Sequence, residues 1–324
     1  MGRRLLKVFL LFPAWIKLGN LKWAYRLAQE NFPIRDLSGL EVKSGNLVAT
    51  DTGIMADDIS YNKLKGGMKY WADYAQYDGV SQFAMEAGHL VTTVDGVKFQ
   101  VDHPGSLFVL DEIFAERLYD LRVNEDMVLL DIGMNVGAAS LYFASQSNII
   151  HVFSYEPLLE TFEQALVNFH LNPSLAPKIT PVQKGVSNYS GAIEVPAAMG
   201  GSAVFSTDNE FINTLGSQSL QKVKVDIVPI TTLMDEIEER YPDKRIFLKL
   251  DCEGEEYKIM DALAADGKLD KISVIALEWH FKGYASLCTL LQENNFSIFN
   301  LGRKEIKPPC GMIYAFNTKN KTYA

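Results

Sequence analysis

The chain has 324 residues, 48% of them hydrophobic, and 31 basic against 40 acidic residues give it a net charge of −9. That length and composition exclude a disordered or fibrous chain and allow one large domain, or a core domain with an extension. The acidic balance weighs against nucleic-acid binding, which needs a basic surface. Cys252, Cys288 and Cys310 form no CxxC pair. Their odd number suits a reducing, cytoplasmic setting better than a disulfide framework. Neither an HExxH zinc motif nor a GxxxxGK[ST] phosphate loop occurs.

The first stretch, MGRRLLKVFLLFPAWIKLGN, sets Arg3, Arg4 and Lys7 before an apolar run from Val8 to Ile16. The run is shorter than the ~18 residues that suggest a membrane span. It resembles part of a secretion signal, but Pro13 interrupts it, Lys17 follows at once and no A-x-A site comes after. A helix is expected, packed on its own protein or docked through residues 1–30 on a membrane surface or a partner. In the second case the protein works in the cytoplasm at the inner face of a membrane.

Leu21, Ala24, Tyr25 and Ala28 recur at helical spacing within 18–30. Residues 31–90 are mixed and suggest no role. GHLVTTVDGVKFQVDH predicts two strands turned at Asp95-Gly96. DEIFAERLYDL (111–121) predicts a helix that buries Ile113, Phe114, Leu118 and Leu121. From 127 strands and helices alternate: MVLLDI, AASLYFAS, HVFSYE, LETFEQALVNFHLN and the strand KITPVQKGV. After a stretch read as irregular (190–228), TTLMDEIEERY, RIFLKLD, EEYKIMDALAAD, SVIALEWH and YASLCTLLQENN continue the rhythm. FSIFNLG and GMIYAFNT close the chain as two strands with no helix between them. Apolar strands alternating with helices imply a parallel α/β sheet covered on both faces. A last strand joined by a short turn must run antiparallel.

In such sheets ligands bind beyond the carboxyl ends of the strands. DIGMNVG (131–137) ends the first strand there, with Asp131, Gly133, Asn135 and Gly137 alternating. The next strand ends at Glu156, followed by Pro157. An acid at that place can hydrogen-bond a ribose diol. The loop lacks the third glycine of the dinucleotide fingerprint, and its extra acid, Asp131, would repel a pyrophosphate and attract a cation. S-adenosylmethionine, an adenosine with a sulfonium and an ammonium, fits that charge pattern better than NAD. Ser187 and Asn188, after the third strand, are placed to approach the adenine.

Two further clusters end the next strands. KLDCEGEE brings Lys249 and Asp251 to one face and Glu253 to a helix start. Glu253 and Glu255 also have the ordinary explanation of acids in a first helical turn. ALEWH sets Glu278 and His280 on one side and Trp279 on the other. His280, with an unperturbed pKa near 6.5, is the expected general base, Asp251 the second candidate, and Glu278 an orienting or substrate-binding group. Asp251, Glu253, Glu278 and His280 offer an oxygen-rich set that could hold a divalent ion, although no metal is expected.

The chain over 107–318 resembles the FkbM-type methyltransferases. The matching pieces are EIFAERLY, LLDIGMNVGAASLYFA, SYEPLLETFEQALVNFHLN with Asn168 and Asn172, LKLDCEGEEYKIM and IALEWH. The resemblance implies the class I methyltransferase (Rossmann-like) fold, a seven-stranded sheet with an antiparallel last strand, over 107–324. Residues 1–106 would then be an N-terminal α+β extension. It also implies methyl transfer from S-adenosylmethionine to a hydroxyl of a sugar, glycoconjugate or secondary metabolite, and a substrate-side loop at GGSAVFS (200–206). Met134 departs from the small residue usual in the family. An N-methyltransferase is the alternative on this fold, but its Asn/Asp-Pro-Pro-aromatic run is absent after the fourth strand. A non-catalytic cofactor-binding module is the third reading.

Overall fold

A computed structural model describes residues 3–121, 123–198, 220–303 and 309–319. The chain forms two compact units, Met1–Leu118 and Tyr119–Ala324. The boundary therefore falls twelve residues after the expected position at 106/107, because the segment that follows the hairpin belongs to the first unit.

The first unit opens with α1 (Arg3–Leu18) and α2 (Leu21–Gln29), the latter capped by Asn20, whose side chain accepts the Trp23 N–H. Trp23 is buried and donates its indole N–H to the Gly45 carbonyl. The region without a sequence-level role is ordered: β1 (Leu40–Lys43), β2 (Asn46–Ala49) and β3 (Met55–Ala56) form one small sheet, and α3 (Asp58–Leu64) and α4 (Met68–Tyr74) follow. The expected hairpin is present as β5 (His89–Val94) and β6 (Val97–Gln100), with β4 (Val80–Glu86) added on its edge. Asp95 and Gly96 both have positive φ, as a two-residue hairpin turn requires. The helix expected over 111–121 is displaced toward the N-terminus. Pro104, suited to a first helical turn, starts α5 (Pro104–Leu110), and a π-helical turn over Asp111–Ala115 buries Ile113 and Phe114.

The second unit carries the alternating elements: β7 (Met127–Ile132), α6 (Ala138–Ala144), β8 (Ile149–Tyr155), α7 (Leu159–His170) and β9 (Ile179–Val182). Then come β10 (Gly185–Ser187), β11 (Gly191–Ala198), β12 (Leu220–Pro229), α8 (Ile230–Arg240), β13 (Arg245–Leu250) and α9 (Glu256–Ala265). β14 (Ile272–His280), α10 (Ala285–Glu293), β15 (Phe296–Arg303) and β16 (Cys310–Asn317) complete it. Every residue of β7 is buried, the mark of a strand covered on both faces. The main sheet has the order β9-β8-β7-β13-β14-β16-β15, with β16 antiparallel to both neighbours. This is the expected class I methyltransferase arrangement.

Two expectations about the middle of the chain change. The strand read across KITPVQKGV divides into β9 and β10, which belong to different sheets. The stretch read as irregular supplies β11 and β12, which with β10 form a small sheet. Val195, Val225 and Ile227 of that sheet bury a satellite core with Leu158. Gly185 allows the close approach, since a Cβ there would lie 2.6 Å from the Ile227 side chain. The loop GGSAVFS lies outside the described residues.

The order reverses between β7 and β13. Connections leaving these adjacent strands diverge, and a crevice opens at their carboxyl ends.

Candidate functional site

The crevice is lined by Gly133 and Asn135 after β7, by Glu156, Pro157 and Leu158 after β8, and by Asp251 and Glu253 after β13. Ile193 and Ile227 of the small sheet add an apolar wall, and Tyr155, Lys184 and Glu255 also face it. The space among these residues, part of it open to solvent, is about 790 Å³.

The glycine loop is held by the protein's own packing. Gly133 has φ +82°, and a Cβ there would lie 1.7 Å from the Asp251 carbonyl oxygen. Gly137 has φ +79°, and a Cβ there would strike the Phe169 ring at 2.6 Å. The two glycines thus let the loop pass against the chain after β13 and let α6 settle on α7. Asn135, also at positive φ, accepts the Val136 N–H on its side chain. Asn168 of α7 donates to the Val136 carbonyl, and Asn172 donates to the Asn168 carbonyl, so the Asn-x3-Asn pair fastens α7 to the loop.

Asp131 is fully buried and does not line the crevice. One oxygen lies 3.1 Å from Lys249 Nζ, and the other accepts from Ser140 Oγ at 2.6 Å. Lys249 is 2% exposed, donates to the Gly133 carbonyl and reaches to 3.7 Å from Asp251. Burial works against the lysine's charge, yet Asp131 and Asp251 hold its pKa above the ordinary value. The cation expected to face Asp131 is therefore a lysine of the same chain. The acids that do line the crevice are Glu156, Asp251, Glu253 and Glu255, with Lys184 the one basic residue among the described lining residues.

Glu156 is nearly buried. Its two oxygens accept the N–H groups of Asn135 and Leu158, each at 3.0 Å. Burial pushes its pKa up to about 7, and the two backbone donors only partly offset that. Each carboxylate oxygen has a second lone pair left for a ligand hydroxyl. Ser187 is buried away from the crevice lining and donates to Glu255 at 2.6 Å; Lys258 holds the other Glu255 oxygen. Glu255, unremarkable in sequence as a first-turn acid, is thus a buried wall of the crevice. Only its tertiary partners distinguish it, and no sequence signal could have.

At the end of β14, His280 is buried and its Nδ1 lies 2.7 Å from Glu256. Glu256 is itself fully buried and accepts the Gly254 and Cys252 N–H groups. His280 Nε2 faces Glu253 at 3.8 Å and Glu278 at 3.9 Å. Burial opposes the charge on His280, but Glu256, Glu253 and Asp251 outweigh it and raise its pKa to about 10. The expected general base is consequently an imidazolium at neutral pH, and it stands behind the crevice lining. Glu253 does line the crevice, at positive φ in the turn after β13. Burial raises its pKa to about 7, with the charge of His280 pulling the other way. Donor atoms of Asp251, Glu253 and His280 lie within 4.8 Å of one another, close enough for one cation. The imidazolium already supplies positive charge to these acids.

The structure thus brings Gly133, Asn135, Glu156, Pro157, Asp251 and Glu253 to one crevice. Asp131, Gly137, Ser187, Lys249, Glu278 and His280 are not among its lining residues; of these, Lys249, Ser187 and His280 make direct contacts to groups that are, and Asp131 reaches them only through Lys249.

Residues 131–298 match the model of the methyltransferase FkbM domain. Methyltransferase sdnD of Sordaria araneosa is 25% identical over 214 residues, 59% of this chain and 82% of that protein. Hexuronic acid methyltransferase AglP of Haloferax volcanii is 26% identical over 164 residues, 51% of this chain and 60% of that protein. A crystal structure of methyltransferase FkbM from Methylobacillus flagellatus has 15% identity and a TM-score of 0.41, covering 61% of this chain and 45% of that one.

Proposed function

The chain belongs to the FkbM-domain methyltransferase family, and from that premise we propose that it transfers the methyl group of S-adenosylmethionine to a hydroxyl of a sugar, glycoconjugate or secondary metabolite. The strongest support is Glu156, a carboxylate held by two backbone N–H groups in the wall of the crevice at the carboxyl ends of the strands. A ribose diol would donate to its remaining lone pairs, while Ile193 and Ile227 offer an apolar wall to an adenine. When bound, S-adenosylmethionine supplies a methyl group on a sulfonium that departs as a neutral thioether. The protein's tasks are then to align the acceptor, exclude water and remove a proton.

Glu253 is the base this reading favours. It faces the crevice, and its pKa of about 7 suits proton removal at neutral pH. His280, charged and fixed by Glu256, positions and stabilises the Glu253 carboxylate across 3.8 Å. Asp251, beside it, would accept a hydrogen bond from a second acceptor hydroxyl. The three acids Asp251, Glu253 and Glu255 disfavour an anionic acceptor and favour a neutral polyol. Isotope-labelled S-adenosylmethionine offered with neutral sugars, uronic acids and amines tests this. Label on a hydroxyl of a neutral acceptor is expected, and label on amines alone would overturn the reading.

Cofactor affinity should follow the ionisation of Glu156. A carboxylate accepts from a diol better than a carboxylic acid does, so binding strengthens as pH rises through about 7. Calorimetry with S-adenosylhomocysteine should give roughly tenfold weaker binding at pH 6 than at pH 8. Glu156→Gln should remove most of that dependence and weaken binding at pH 8 by ~10–100-fold. An unchanged affinity would remove Glu156 from the ribose site.

A further inference from the structure

Helix α1 leaves one face uncovered. Phe9, Phe12, Trp15 and Ile16 are 58%, 60%, 47% and 66% exposed, while Ala14 and Leu18 are buried. At 100° per residue the four exposed side chains share an arc of about 120°. Leu21 and Tyr25 of α2 are also exposed. Isolated exposed apolar residues need no explanation, but a row of large ones on a single helix marks an interaction surface.

The charge of the same segment identifies the partner. Residues 1–29 hold Arg3, Arg4, Lys7, Lys17, Lys22 and Arg26, and no acidic residue precedes Glu30. This basic run opens a chain whose net charge is −9. Arg26 and Lys22 share Asp58, and Lys17 is exposed at the end of α1. A second copy of the chain would bring two such cationic segments together, which their repulsion opposes. An anionic bilayer matches both properties. Aromatic and aliphatic side chains enter the acyl boundary, and lysines and arginines meet lipid phosphates. Among the described residues no helix is long and apolar enough to cross a membrane, so this helix would lie along the surface.

We propose that α1 docks the protein on an anionic phospholipid surface through Phe9, Phe12, Trp15 and Ile16. The test is cosedimentation of the full chain with vesicles of phosphatidylcholine alone, or with about one-third phosphatidylglycerol. Partitioning is expected at least tenfold stronger on the anionic vesicles, and weaker at about 0.5 M salt, where charges are screened. Phe12→Glu with Ile16→Glu should abolish it. Unchanged S-adenosylhomocysteine affinity and circular dichroism show that this double variant remains folded. Binding confined to neither vesicle, or equal for wild type and variant, overturns the proposal. So does a wild-type dimer in sedimentation velocity that the same variant dissociates, because the uncovered face would then belong to a second copy.

Discussion

Replacing Glu253 with Gln should lower kcat by ~10²–10⁴-fold, the range expected when a general base is lost, with S-adenosylhomocysteine binding close to that of the wild type. The amide keeps the size and one acceptor of the carboxylate but cannot take a proton. In the wild type the sign of the pH dependence follows from the same group. A base works only when deprotonated, and burial has raised the Glu253 pKa to about 7. The rate should therefore climb as pH passes through about 7 and level off above it. His280→Gln sharpens the assignment. The imidazolium pulls the Glu253 pKa down, so its removal should move the midpoint of the profile to higher pH without flattening it. If His280 were the base, His280→Gln would erase the profile, and Glu253→Gln would leave a large residual rate. Rate profiles of the two variants against pH separate these roles.

That distinction was invisible at the level of sequence, and the reason is specific. ALEWH shows a histidine at a strand end, and a histidine with its unperturbed pKa is the natural base. Nothing in the string reveals that Glu256, four residues past Cys252, folds back to hold Nδ1 and to charge the ring. Asp131 shows the same limit. Its place after an apolar strand was legible, and so was the crevice beyond it, because strand ends and glycine loops are local features. Its partner lies 118 residues away, and a buried lysine at a strand end reads like any other. The class I sheet was legible for a related reason: the apolar strands, the alternation and the closing hairpin are periodic and local. The small sheet of β10, β11 and β12 was not, because β11 and β12 pair antiparallel across a segment that separates them by more than twenty residues.

The Lys249–Asp131 pair leads to the largest expected effect on stability. Lys249→Met removes one charge of a buried pair and leaves the other uncompensated, a change that costs about 3–5 kcal/mol. Asp131 would retain only the Ser140 hydroxyl, and the Gly133 carbonyl would lose its donor. The loss should appear as faster amide hydrogen exchange along β7 and β13, the strands that carry the pair, and as a lower urea midpoint. Asp131→Asn added to Lys249→Met should restore a substantial part of the stability, because no unpaired charge then remains in the sheet. A double variant no better than Lys249→Met alone would mean that Lys249 acts through its packing and its bond to Gly133 rather than through Asp131. The pair also binds the glycine loop to β13, so the same variants should weaken S-adenosylhomocysteine binding even where Glu156 is intact. Asp131 thus shapes the crevice indirectly, by pairing with the lysine that donates to the Gly133 carbonyl.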